Sequence, residues 1–395
     1  MNKPILTSLL ALLVFGAGTG VAQAAEDCFL NGKEVSPDNG ATTEGKTGIM
    51  QCKDRATGKP TRDKELRAGK FVGQTRDYVD GEIAIEYGRD EHGRDHGVNR
   101  KYGRNQQLVF EEHSEHGKVQ GFRREWYADG SLKSIEFFGK TEGQTANARY
   151  TAKKQINDLT CSTTPLLLPH VDDAALCGFK GKASTVDFFN DEGKLYARET
   201  YLAGVAQKSE EFDTASGKLK FIMQVQGNTR LDTYFNADGS KQREEVLNLA
   251  EKTKAFVRKA EFHESGQLVL EQKFAMLEID GKRRNFMVSE AKFYLNGQPQ
   301  ELEVYSVQGR DIVKDAKVYY DNGKVGEQGR FVDDGRNGYY RIGMHQSFWE
   351  TGVASCEWFY KAKGKMVRER CFDKNGVLER DEEVFEDGSR KAFAK

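Results

Sequence analysis

Three stretches, AGKFVGQTRDYVDGE from Ala68, HGRDHGVNRKYGRNQ from His92 and HGKVQGFRREWYADG from His116, stand one under another at a spacing of 24 residues. Gly69, Gly93 and Gly117 share a column, as do Gly73, Gly97 and Gly121, then Arg76, Arg100 and Arg124, then Tyr78, Tyr102 and Trp126. Four matching columns define a unit, G-x-x-x-G-x-x-R-x-aromatic, and a fixed period is the signature of a repeat architecture. Two glycines four apart permit a tight reversal and a close approach of backbones, after which the aromatic opens a strand. The apolar alternation that follows, as in Leu132-Lys133-Ser134-Ile135-Glu136-Phe137, supplies a second strand. The expected fold is all-β, with tandem β-hairpins of about 24 residues forming an elongated sheet or solenoid, because one hairpin alone cannot bury its apolar face.

Beyond residue 178 the unit loosens to an aromatic, a few polar residues and a glycine, as in Phe189 to Gly193, Phe235 to Gly239, Tyr294 to Gly297, Tyr320 to Gly323 and Trp349 to Gly352. Asn-Gly or Asp-Gly occurs twelve times, including Asn296-Gly297 and Asn322-Gly323. These dipeptides read as two-residue hairpin turns, since both residues tolerate positive φ. Glu244 to Val257 has a helix-forming composition but falls where the period calls for two strands, so strands are expected. The expected organisation is a signal peptide at 1–24, an N-terminal disulfide-pinned cap at 25–68, three regular repeats at 69–140, an insertion or junction at 141–178, and a degenerate repeat array at 179–395. Exposed edge strands recruit other chains, so the Cys28–Cys52 segment and the Asp381–Lys395 tail are read as end caps.

The 395 residues hold 41 Gly but 6 Pro, a hairpin composition. The 60 Lys+Arg and 61 Asp+Glu are interspersed, which leaves no electrostatic footprint for nucleic acid. Lys3, the apolar run Leu9 to Phe15 and Ala22-Gln23-Ala24 have the charged, apolar and A-x-A parts of a secretory signal, with cleavage expected after Ala24. No later run is long and apolar enough to span a bilayer. The expected location is therefore the periplasm or the exterior. Cys28, Cys52, Cys161, Cys177, Cys356 and Cys371 form an even set in an exported chain, which favours disulfides, and nearest-neighbour pairing is expected. For the last pair there is a geometric reason, because a turn at Lys363-Gly364 sets Cys356 opposite Cys371.

The units Gly93-x-x-x-Gly97-x-x-Arg100-x-Tyr102 and Gly117-x-x-x-Gly121-x-x-Arg124-x-Trp126, followed by Tyr127-Ala128-Asp129-Gly130-Ser131-Leu132, resemble the variant MORN repeat of bacterial YwqK-like proteins, commonly labelled antitoxin-like. The resemblance is clear over 69–140 and degenerate over 179–395. It implies a binding or scaffolding surface with no enzymatic centre of its own, whose partners are other proteins and, by proposal, membrane lipids. The signal peptide departs from a cytoplasmic antitoxin role.

No catalytic residue, cofactor or metal site is expected. The nucleophile elbow, Walker loop, H-E-x-x-H and S-x-x-K patterns are all missing from the sequence. His92, His96, His113 and His116 lie within 25 residues and are a conceivable zinc or copper set. Yet His92 and His116 share a repeat column beside the first glycine, which marks a turn position. Adjacent acids such as Glu111-Glu112 point to opposite faces of a strand and read as solvated. The aromatic column reads as a stacked core ladder and, alternatively, as a groove that grips sugars or partner side chains. The arginine column reads as snorkelling over that ladder or as a stripe for anionic polymers. The functional expectation is an exported, non-enzymatic module that binds another envelope or exported protein in a Gram-negative bacterium. Peptidoglycan or another glycan is the alternative partner, and a hydrolase with an unrecognised site is the outside one. A likeness of Phe372 to Leu378 to the tyrosine-aspartate repeats of toxin-encapsulating shells is set aside, because the chain is too short to enclose a cargo.

Overall fold

The computed structural model describes residues 26–141, 143–251, 253–279, 281–335 and 338–393. The expected signal peptide and its cleavage point lie outside them. The described residues form two antiparallel sheets, one of 12 strands running from Glu26–Leu30 to Ile156–Thr160 and one of 17 running from Ser184–Phe189 to Arg390–Ala392. Both are open and neither closes into a barrel, so the chain is an all-β hairpin protein as expected. Strand order follows chain order, except that Glu26–Leu30 lies between Lys33–Val35 and Gly48–Asp54. By its internal contacts the chain divides into a unit ending at Thr145 and a unit beginning at Ala146. The ambiguous stretch resolves into the strands Lys241–Asn248 and Ala255–Phe262.

Turn chemistry explains the period. His116-Gly117 (φ 49° and 84°) and Asp80-Gly81 (φ 54° and 88°) are two-residue turns with both residues left-handed, as expected of such dipeptides. The loops at Asn296-Gly297 and Asn322-Gly323 are different. Tyr294 N–H donates to the Gln298 carbonyl and Gly297 N–H to the Tyr294 carbonyl, each at 2.9 Å, and within the loop only Gly297 has positive φ. This is a three-residue loop in which a type I turn is closed by a left-handed glycine, and it corrects the two-residue expectation. The Asn296 carboxamide oxygen accepts from Gln298 N–H, the local bond that holds such a turn.

In each unit a strand packs mainly on the strands before and after it. The strand Leu268–Ile279 contains no fully buried residue. Cohesion then comes from cross-strand side-chain pairs, including cations laid over rings such as Arg243 on Tyr234 at 4.1 Å and Lys314 on Phe331 at 5.1 Å. A conventional core exists near the N-terminus, where Cys28, Leu30, Val35, Met50, Cys52 and Leu66 are buried together against Phe71.

The three disulfides are Cys28–Cys52, Cys161–Cys177 and Cys356–Cys371. The first and last join residues that face each other directly across paired strands, and Lys363-Gly364 lies in the turn between Ala354–Tyr360 and Met366–Phe372, as expected. Between the sheets, Asp173 is buried and one of its carboxylate oxygens accepts from the N–H groups of Leu166 and Leu167, fixing the proline-flanked segment. The backbone ladder stops at Ile156–Thr160, but Asn157 donates its carboxamide to the Phe189 carbonyl at 2.9 Å. The C-terminal segment is no separate cap, because Leu378–Val384 and Arg390–Ala392 continue the second sheet.

Candidate functional site

The arginine column forms a row of alternating charge across the first unit. Cross-strand register places Asp63, Arg76, Glu86, Arg100, Glu111 and Arg124 side by side on six successive strands. Glu86 receives Arg76 at 3.0 Å and Arg100 at 3.4 Å, while Glu111 receives Arg100 at 2.7 Å and also Arg124. Burial pushes the Glu86 and Glu111 carboxyls up, and the flanking guanidiniums outweigh it and hold both below the usual carboxylate range. Tyr78 donates to Asp63 at 2.7 Å and Tyr102 to Glu86 at 3.2 Å, so this part of the aromatic column serves the same row. Arg124 also lies over the Trp126 ring at 5.5 Å. The arginines are neutralised by partners within the sheet, so they do not form an open stripe for an anionic polymer. Glu112, on the opposite face from Glu111, receives Arg123 at 2.9 Å.

The second glycine of each unit sits in a bulge. Leu66 faces Phe71, yet two residues back Lys64 faces Thr75, so two extra residues loop out around Gly73 (φ 102°). Gly121 (φ 74°) does the same between the pairs Ser114–Val119 and Glu112–Arg123. In the first case the side chain facing the bulge, Glu65, fills it, since a Cβ on Gly73 would lie 2.0 Å from the Glu65 carboxylate. His113 faces the bulge at Gly121. Of the other histidines, His116 bonds the buried Asp90 at 2.9 Å and its ring lies 5.0 Å from that of His96, while the His92 ring reaches the same group through Arg94 at 3.5 Å and its backbone N–H donates to Asp90 at 2.9 Å. Asp90 is held well below the usual range by His116 first and by the N–H groups of Arg94 and His92. Among the described residues, the group of three ligand-type side chains within liganding reach of one another is Glu26, Cys28 and Cys52, and those two sulfurs are joined in a disulfide.

Elsewhere in the array the same bulge recurs with altered residues. Gly343-Met344-His345-Gln346-Ser347-Phe348 matches G-x-x-R-x-aromatic with Gln346 where the arginine stands. Arg330 faces Ile342 while Gln328 faces Gln346, so two extra residues again loop out, now around Gly343 (φ 68°). The other register steps among the described strand pairs of this sheet are of one residue, as at Val246/Leu247. The residue facing this bulge is Gly329, and the His345 ring occupies the space a side chain there would need, since a Cβ on Gly329 would lie 2.1 Å from Nδ1. His345 is buried edge-on to Phe331 and Tyr360, at 4.9 and 5.1 Å, and its Nε2 bonds the Arg330 carbonyl at 2.8 Å. Burial pushes its pKa below the usual histidine value. On the face opposite His345 the bulge leaves a hollow of about 470 Å³, lined by Asp315, Lys317, Gln328, Arg330, Met344 and Gln346 among others. Sequence reasoning missed this place, although the spacing from Gly343 to Phe348 was the available signal.

A row crosses this hollow as well. Lys317, Gln328, Gln346, Glu357, Arg370 and Asp381 face one another on successive strands. Arg370 donates to Glu357 at 3.3 Å, Gln346 to Glu357 at 3.1 Å and Gln328 to Gln346 at 2.7 Å. The chain of bonds stops at Gln328, and Lys317 is exposed with no partner among the described residues.

Such a fold defines an open antiparallel hairpin-repeat protein, stapled by three disulfides that mark an oxidising, non-cytoplasmic compartment. No family model and no curated protein matches the chain. Among solved structures it is similar to a Photorhabdus luminescens Tc holotoxin pore, at 10% identity and TM-score 0.20 over 87% of this chain and 23% of that one. It is also similar to a porin-like protein from Bacteroides uniformis, at 11% identity and TM-score 0.18 over 53% and 87% of the two chains. The chain spans less than a quarter of the toxin chain, and at these scores neither likeness carries an argument. No helix among the described residues is long and apolar enough to cross a membrane.

Proposed function

We propose that this chain is an exported repeat protein of the variant MORN kind, without an enzymatic centre of its own, that binds a protein partner in the periplasm or envelope of a Gram-negative bacterium. The observation that supports it is the closed charge row from Asp63 to Arg124. It spreads fixed, alternating charge over six successive strands of the first sheet. A rigid pattern of that kind favours one complementary partner and rejects others by misplacing like charges. The test is a cross-linked pull-down from native envelope extract with the exported protein as bait, beside a Glu111→Gln variant that opens the row. One protein recovered in stoichiometric amount by the parent and lost by the variant supports the reading. Recovery of muropeptides instead, or equal recovery by both baits, overturns it. Sequencing of the exported protein from its N-terminus, expected to start at Ala25, checks the export step.

A further inference from the structure

The two rows differ in what they leave unpaired. In the first, the described charges are satisfied by their neighbours. In the second, glutamines replace the charged pair, the bulge-facing residue is Gly329, and the row ends at a hollow with an open acceptor and an open cation.

We propose that this hollow binds one sugar unit of an acidic glycan, a pyranose bearing a carboxylate. At about 470 Å³ it falls within the size range of small-molecule sites. Lys317 Nζ is the cation for the carboxylate, a charge-assisted contact. Gln328 uses its carboxamide N–H on Gln346, which turns its oxygen outward as an acceptor for a hydroxyl. Arg330 grips Asp315 through two bonds of 2.6 and 3.0 Å, presenting a donor and an acceptor side by side, the pair of demands that a vicinal diol meets. Ile342 and the exposed Met344 supply an apolar wall for the C–H face of the ring. An acidic peptide would meet Lys317 and offer a backbone N–H to the carboxamide oxygen, but it brings no vicinal diol for the ion pair. The site does not rest on the protein-binding reading, and either one stands if the other fails.

The experiment is a calorimetric titration of the disulfide-bonded protein with three probes: galacturonate trisaccharide, neutral maltotriose and triglutamate peptide. Saturable heat with the first alone is expected. Lys317→Met, at an exposed position that folding tolerates, should weaken it about tenfold, the loss of one charge-assisted bond. Gln328→Leu should weaken it too, and Lys374→Met, at an edge turn, should leave it unchanged. Equal binding of maltotriose, comparable binding of triglutamate, an unaffected Lys317→Met, or no heat with any probe would each overturn the proposal.

Discussion

Glu86 shows how one residue ties neighbouring strands together. Its carboxylate is nearly inaccessible, yet four side chains reach it: Arg76, Arg100, Tyr102 and Gln74, the last at 2.5 Å. Replacing it by Gln leaves Arg76 without its ion-pair partner and Arg100 with Glu111 alone. The expected loss is about 2 kcal/mol, below the range for a fully buried pair because both arginines are more than a third exposed to water. The pH dependence has a defined sign. The folded-state value lies below the ordinary 4.5, so the stabilisation is present above 4.5 and disappears as pH falls through the folded value. Urea melts of parent and Glu86→Gln at pH 7 and pH 3 check this, with the gap expected to narrow at pH 3. A gap of equal size at both would mean that the carboxylate acts only as a spacer.

At the scale of the element, the aromatic before the loop glycine is a clasp between neighbouring loops in three successive hairpins. Tyr294 donates to the Tyr319 carbonyl at 2.8 Å, Tyr320 to Phe348 at 2.7 Å and Trp349 to Phe372 at 3.3 Å. These rings are half-buried and reach from one hairpin to the end of the next strand but one. The core-ladder and groove readings of the aromatics both missed that role at these positions. Tyr320→Phe keeps the ring and removes the bond. The expected cost is about 1 kcal/mol, seen as roughly fivefold faster amide exchange at Trp349 to Val353 with distant hairpins unchanged. Exchange unaltered at those amides would show the hydroxyl to be idle. The strands and their period were legible because left-handed glycines and alternating apolar residues leave local marks. The loop type was not, because Asn31-Gly32 and Asn296-Gly297 read alike. What separates them is the register of the flanking strands, a property of the pair and not of the dipeptide. The hollow stayed hidden for a related reason. Its glutamines lie 18 residues apart and meet only through a two-residue register step, and Gln346 disguises a repeat column otherwise marked by arginine.

At the scale of the whole molecule, a sheet whose strands touch mainly their chain neighbours has stability that is nearly a sum over neighbouring pairs, so a local lesion should stay local. The Cys356–Cys371 disulfide tests this within the second unit. It closes a separation of 15 residues and contributes about 3 kcal/mol in the chain-entropy account. With both cysteines changed to Ser, exchange should rise by up to roughly a hundredfold in Ala354–Tyr360 and Met366–Phe372 and by less in the strands beside them, while Ser184–Phe189 keeps its protection. A rise of equal size in every strand would mean that the sheet folds as one cooperative body. The same lesion reaches the hollow, because Glu357 and Arg370, beside the two cysteines, anchor the bonds that orient Gln346 and then Gln328. Saccharide affinity should therefore fall in the Cys-to-Ser protein although neither cysteine touches the hollow. The disulfide thus ties an oxidising compartment to the shape of the open row, and protection and affinity lost together would show that link.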